Sequence, residues 1–176
     1  MEAELAAEQA NKHSIMLRTP VTSARADHSF NGIIFDIRSK DAHEVEVLSI
    51  SLGGMLGRIR IYARNCRWEK DIPSDYSDNY WGHHPGISEQ GWELVAEQRC
   101  LPSWERHYEI WLDKPFKIQP HARHAFYCHS DLPDDLGILY QSCRKDSITV
   151  QDEHVQILPG LGHCGHRPFG NRSTDG

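Results

Sequence analysis

No stretch of this chain approaches the ~18 consecutive apolar residues of a membrane-spanning helix, and its start, Met1-Glu2-Ala3-Glu4, lacks the basic and apolar regions of a signal peptide. Neither export nor a membrane is expected, and the sequence reads as cytoplasmic. Basic charge is also short: 19 Lys and Arg stand against 25 Asp and Glu, for a net charge of −6. Binding to a phosphate backbone is driven by Lys and Arg, so nucleic acid is not an expected partner. The five cysteines, Cys66, Cys100, Cys128, Cys143 and Cys164, form an odd set without a Cys-x-x-Cys pair. That argues against a disulfide framework and a paired-thiolate zinc site, and for reduced thiols. Also missing are a Gly-x-Ser-x-Gly elbow, a His-Glu-x-x-His helix, an EF-hand loop, and Walker or dinucleotide glycine patterns. With no catalytic motif the expectation is a non-enzymatic protein that needs no cofactor. No repeat of fixed period occurs, which excludes a propeller or solenoid.

What is present suits one domain, since 176 residues allow a single core large enough to fold without disulfides or metal. Residues 1–17 are rich in Ala, Glu and Gln, with acids first and Lys12 later, as the helix dipole prefers. A short helix is expected there, ended by Pro20, so residues 1–28 form a helix and linker. The domain proper spans 29–170, and 171–176 is a polar tail whose stop reads as a cut inside a longer, multidomain chain.

From residue 29 the pattern changes to short runs of Ile, Val, Phe, Tyr and Trp separated by Gly, Pro and Asp turn signals. Strands are predicted at 32–38, 44–52, 58–64, 92–98, 107–112, 116–118, 124–129, 137–140, 147–150 and 155–158. In the third, Ile59, Ile61 and Ala63 share a core face, while Arg58, Arg60 and Arg64 share a wet one. In the second, the apolar phase slips between Val47 and Leu48, the mark of a β-bulge. In the fourth, Trp92, Leu94 and Ala96 are expected inward, with Glu93 and Glu97 outward. Gly53, Gly54 and Gly57 bracket a turn that predicts a hairpin between the second and third strands. Many short strands without helical crossovers predict an all-β fold, an antiparallel two-sheet sandwich of jelly-roll type.

The order of several segments carries a resemblance. Gly32-Ile33-Ile34-Phe35-Asp36-Ile37, Ile61-Tyr62-Ala63-Arg64 and Gly91-Trp92-Glu93-Leu94 are followed by Pro115-Phe116-Lys117-Ile118, Ala125-Phe126-Tyr127-Cys128, Gly137-Ile138-Leu139-Tyr140 and Pro168-Phe169-Gly170. This succession resembles the jelly-roll sandwiches of the discoidin-like and PHR-type group over about residues 30–170. The resemblance implies a recognition module that binds proteins or glycans, often joined to other domains, and it implies no catalytic residues.

Two groups of residues could carry chemistry. Between Trp68 and Trp81 a polar, Pro-broken segment holds Trp68, Tyr76, Tyr80 and Trp81, followed by His83 and His84. Long loops of this kind are often functional, and aromatics on a rigid scaffold give contact area at low entropic cost. These six residues are the expected binding site, the alternative being that one or two rings plug an end of the sandwich. The second group is His163-Cys164-Gly165-His166, whose His163, Cys164 and His166 are of the ligand types that zinc favours. A His-rich metal-dependent enzyme, or a structural assembly domain, are the alternatives to recognition. Twelve histidines are otherwise read as surface or core residues, and the adjacent pairs Cys128-His129 and His163-Cys164 would point to opposite faces of a strand. Asp134-Asp135 reads as a solvated turn. The protein or glycan partner is expected to be basic or neutral, given the net acidity.

Overall fold

A computed structural model of the chain describes residues 15–18, 28–65, 89–140 and 147–170. The helix expected over 1–17 and the tail at 171–176 fall outside the described residues, apart from 15–17, which have no regular structure. The strands are β1 (His28–Phe30), β2 (Gly32–Ser39), β3 (Val45–Gly54), β4 (Gly57–Arg64), β5 (Glu93–Cys100), β6 (Ser103–Ile118), β7 (Arg123–Ser130), β8 (Ile138–Tyr140), β9 (Val150–Gln151) and β10 (Val155–His163). Every pairing is antiparallel. The small sheet runs β1-β8-β3-β6 and the large one β5-β4-β7-β2-β10-β9. No helix occurs among the described residues, and the two sheets pack as the expected β-sandwich.

The core between the sheets follows from alternation. β4 sends Ile59, Ile61 and Ala63 inward, β7 adds Phe126 and Cys128, and the small sheet answers with Ile50, Leu52, Ile110, Leu112 and Ile118. Each fully buried Ile, Leu or Phe side chain is worth roughly 1.5–3 kcal/mol against exposure. The phase slip in β3 is real. Val47 pairs with Phe116 but Ser49 pairs with Trp111, so the single residue Leu48 lies opposite residues 112–115 of β6. The larger insertion is therefore in the partner strand, and it merges the two strands predicted at 107–112 and 116–118 into one.

Two expectations are corrected. β3 and β4 are not a hairpin, because they lie in different sheets and the chain turns a corner between them. The reason is Leu56, fully buried in the core, which the corner folds inward rather than presenting at a polar tip. In β5, Leu94 is exposed and Val95 is buried beside Ala96. Ile61 pairs with Ala96 and Tyr62 with Leu94, so Val95 is an extra, bulged residue that reverses the phase. Trp92 faces the outside of the large sheet rather than the inter-sheet core.

That outer face is not simply wet. Ile34, Tyr62, Trp92, Tyr127 and Phe169 form a second cluster on it, with Tyr62 stacked on Tyr127 at 5.7 Å and the Phe169 ring 5.0 Å from that of Tyr127. The Tyr127 ring lies directly over β2, where a Cβ on residue 32 would stand 2.6 Å from its Cε2, so only glycine fits at Gly32. Residues 164–170 lie across this face like a strap. β7 is consequently buried on both sides and shows no burial alternation.

Candidate functional site

At one end of the sandwich three corners converge. The register places Gly57 opposite Cys100, Gly54 opposite Ser103, Gly54 opposite Ile138 and Ile59 opposite Ser130. The β3–β4, β5–β6 and β7–β8 connections therefore sit side by side. Backbone hydrogen bonds join them: Leu56 N–H donates to Gly137 O at 2.9 Å, and Asp131 N–H donates to Arg58 O at 3.2 Å. Asp131 Oδ1 in return accepts from the Arg58 N–H at 3.1 Å. Asn31, wholly buried, ties the third corner from below by donating through Nδ2 to the carbonyls of Ser130 and Leu132.

The backbone here departs from ordinary geometry. Leu56, Asp134 and Asp135 hold φ near +60°, at 60°, 57° and 57°, and Gly57 has φ 71°. A non-glycine residue in the left-handed region costs about 1–3 kcal/mol and persists only where its surroundings enforce it. Gly57 is needed for a second reason, since a Cβ there would lie 2.8 Å from Leu132 Cγ.

The tips of these strained corners carry large apolar side chains. Met55, Leu101, Trp104 and Leu136 are all exposed, Leu101 to 73% of its surface. Single exposed apolar residues are ordinary, but a group gathered on neighbouring loops is the pattern of a contact surface. Beside them lies a hollow of about 170 Å³ lined by Gly57, Arg58, Arg99, Asp131 and Leu132. Arg58 and Arg99 face each other across the β4–β5 ladder. Glu97 is bonded to Arg60 at 2.9 Å and reaches Arg58 only at 3.7 Å. Burial pushes the nearby Cys100 thiol up to about 11, so it stays protonated and weakly nucleophilic at neutral pH.

The residues singled out in the sequence lie elsewhere. Trp68, Tyr76, Tyr80, Trp81, His83 and His84 fall within 66–88, outside the described residues. The strands flanking that loop, β4 at Arg64 and β5 at Glu93, reach it at the end of the large sheet remote from the three corners. At that end Arg64 stands over Trp92, its guanidinium carbon 6.0 Å from the ring centroid.

His163, Cys164 and His166 do not come together around a common point. His163 is buried and both ring nitrogens are engaged. Tyr127 Oη donates to Nδ1 at 2.7 Å, and Nε2 donates to Gly170 O at 2.9 Å. The Phe169 N–H donates in turn to Tyr127 Oη. Cys164 is half-buried and His166 is exposed. Among the described residues no three His, Cys, Asp or Glu side chains are placed to hold a metal ion. The histidines instead hold the strap: His129 Nε2 donates to Gly165 O at 2.9 Å, and Gly165 N–H donates to Asn31 Oδ1 at 3.2 Å. Desolvation drives the His129 imidazole down to about 4, with the hydrogen bond to Gly165 opposing, so it is neutral at pH 7. Cys128 points to the inter-sheet core and His129 to the outer face, as strand adjacency requires.

The corner residues were not legible as a site, because the glycines beside them mark turns without marking the apolar residues at or next to those turns. The available signal was the reverse one: Met55-Leu56 and Leu101-Pro102 place bulky apolar residues where turn chemistry favours Gly, Asn or Asp. No protein-family model, curated protein or solved structure gives a significant match to this chain.

Proposed function

We propose that this chain is a non-enzymatic recognition module that binds a protein segment at the three-corner end of its sandwich. The observation that carries this reading is the exposure of Met55, Leu101, Trp104 and Leu136, all in or next to the three corners that the strand register brings to one end of the sandwich. Met, Trp and Arg are enriched in interfaces, and a backbone already fixed by the sheets spares the cost of ordering it on binding. Three of these four tips are aliphatic, which favours a peptide over a glycan, because sugar rings stack on aromatic faces. The resemblance in strand order to discoidin-like sandwiches implies a recognition module for proteins or glycans.

Panning a random displayed-peptide library against the immobilised chain tests the reading. Enriched peptides should bind the wild type and the surface control Ile148→Ser, and should lose at least about tenfold in affinity with Leu101→Ser/Leu136→Ser, as expected of hot-spot residues. Enrichment indifferent to that double variant would place recognition elsewhere.

A further inference from the structure

The hollow between the corners has a charge that the whole chain does not. The net charge is −6, yet the residues lining the hollow include two arginines, Arg58 and Arg99, against one acid, Asp131. Like charges directly opposite on paired strands are destabilising, and Arg58 and Arg99 are such a pair. Among the described residues it is relieved only in part, by Glu97 and by the carboxylate of Asp131. Arg99 makes no ion pair among the described residues, and Arg58 has only the 3.7 Å contact to a Glu97 already bonded to Arg60. The Asp131 carboxylate is committed through Oδ1 to the Arg58 backbone N–H, which fixes it at the wall of the hollow.

We propose that this pair is completed by the partner: the segment bound at the corner end carries an acidic side chain, seated between Arg58 and Arg99, next to a large apolar residue that packs on the exposed tips. This rests on the recognition reading above and specifies the chemistry of its ligand. Two planar guanidiniums present parallel N–H donors that match the two oxygens of one carboxylate, and charge-assisted bonds of that kind are roughly twice as strong as neutral ones. Leu132 adds an apolar residue to the same lining, suited to the methylene carbons of Asp or Glu. The net negative charge of the chain disfavours acidic peptides in general, which adds discrimination.

The test uses the same panning, followed by titration of the enriched peptides as synthetic fluorescent probes. Expected are sequences with Asp or Glu adjacent to Leu, Ile, Phe or Met. Their affinity should fall about tenfold or more with Arg99→Gln or Arg58→Gln, less with Arg99→Lys, which keeps the charge but loses the fork, and it should weaken as salt is raised. Panning against Arg99→Glu should enrich Lys or Arg instead. Binders that depend on Leu101 and Leu136 yet contain no acid, or ignore both arginine variants, would overturn this inference while leaving the recognition reading intact. Binders indifferent to Leu101 and Leu136 would overturn the recognition reading itself. Unchanged melting temperatures of the arginine variants show that the comparison is between folded proteins.

Discussion

The core between the sheets and the corner end are both rich in large apolar residues, but they treat them in opposite ways. Ile59, Ile61, Ile110 and Phe126 have no exposed surface, whereas Leu101 and Met55, a few residues from Cys100 and Leu56 in the same core, stand in water. The core residues lie on period-two strands and account for stability. The tips lie on turns held in shape by buried neighbours such as Asn31 and Leu56, so their own burial contributes nothing to folding. A sequence can expose such residues without penalty only where the backbone beneath is already fixed, and that is where recognition surfaces are found.

The sharpest way to break this contrast is to truncate on both sides of it. Phe126→Ala should lower unfolding free energy by about 3–5 kcal/mol in chemical denaturation, as for other buried aromatics. A loss below about 1 kcal/mol would mean that the inter-sheet core is not where the fold is held. Next in size is the strap on the outer face. His129 takes up its proton near 6.5 when unfolded but only near about 4 when folded, so the unfolded state binds more protons between those values. Stability is therefore full above pH 6.5 and declines as pH falls toward 4, by about 3 kcal/mol from this residue. The decline should be reduced by that amount in His129→Gln, measured as unfolding free energy against pH, and an unaltered slope would remove the histidine from the account.

Smaller still is Tyr127→Phe, which keeps the ring but strips the hydroxyl between the Phe169 N–H and His163 Nδ1. Two buried groups lose their partner, for about 1–3 kcal/mol, read from a thermal melt. The smallest change is the one that defines the site: Leu101→Ser/Leu136→Ser should stay within about ±0.5 kcal/mol per substitution of the wild type. A large loss there would make the corner tips structural and erase the distinction between the two regions.

Alternation carried most of the fold. Ile59, Ile61 and Ala63 were legible as a core face, and the slip at Val47-Leu48 marked a real irregularity, because side chains on strands have only two directions. The β3–β4 corner was not legible, since Gly54 and Gly57 announce that the chain turns without saying into which sheet. Nor was the bulge at Val95, where Leu94 and Val95 are both apolar and either could have faced inward. The outer aromatic cluster escaped for a different reason. It joins Tyr62, Tyr127 and Phe169 from three distant segments, and no local pattern reports contacts of that range. His163 looked like a metal ligand by residue type, and only the three-dimensional arrangement reveals Tyr127 and the Gly170 carbonyl as its partners.

The strap also bears on how the molecule is made. β2, the first long strand, is central in the large sheet and pairs with β7 on one side and β10 on the other. Asn31 immediately before it waits for Gly165 to fill its side-chain acceptor. During synthesis β2 thus emerges with both edges open and is satisfied only when some of the latest residues have left the ribosome. Loop closure over such separations slows folding, toward the millisecond-to-second range of sandwiches of high contact order, and leaves paired-strand edges exposed meanwhile. A nascent chain arrested before β10 should be protease-sensitive throughout the large sheet, and one released after Gly170 should be protected in a single step.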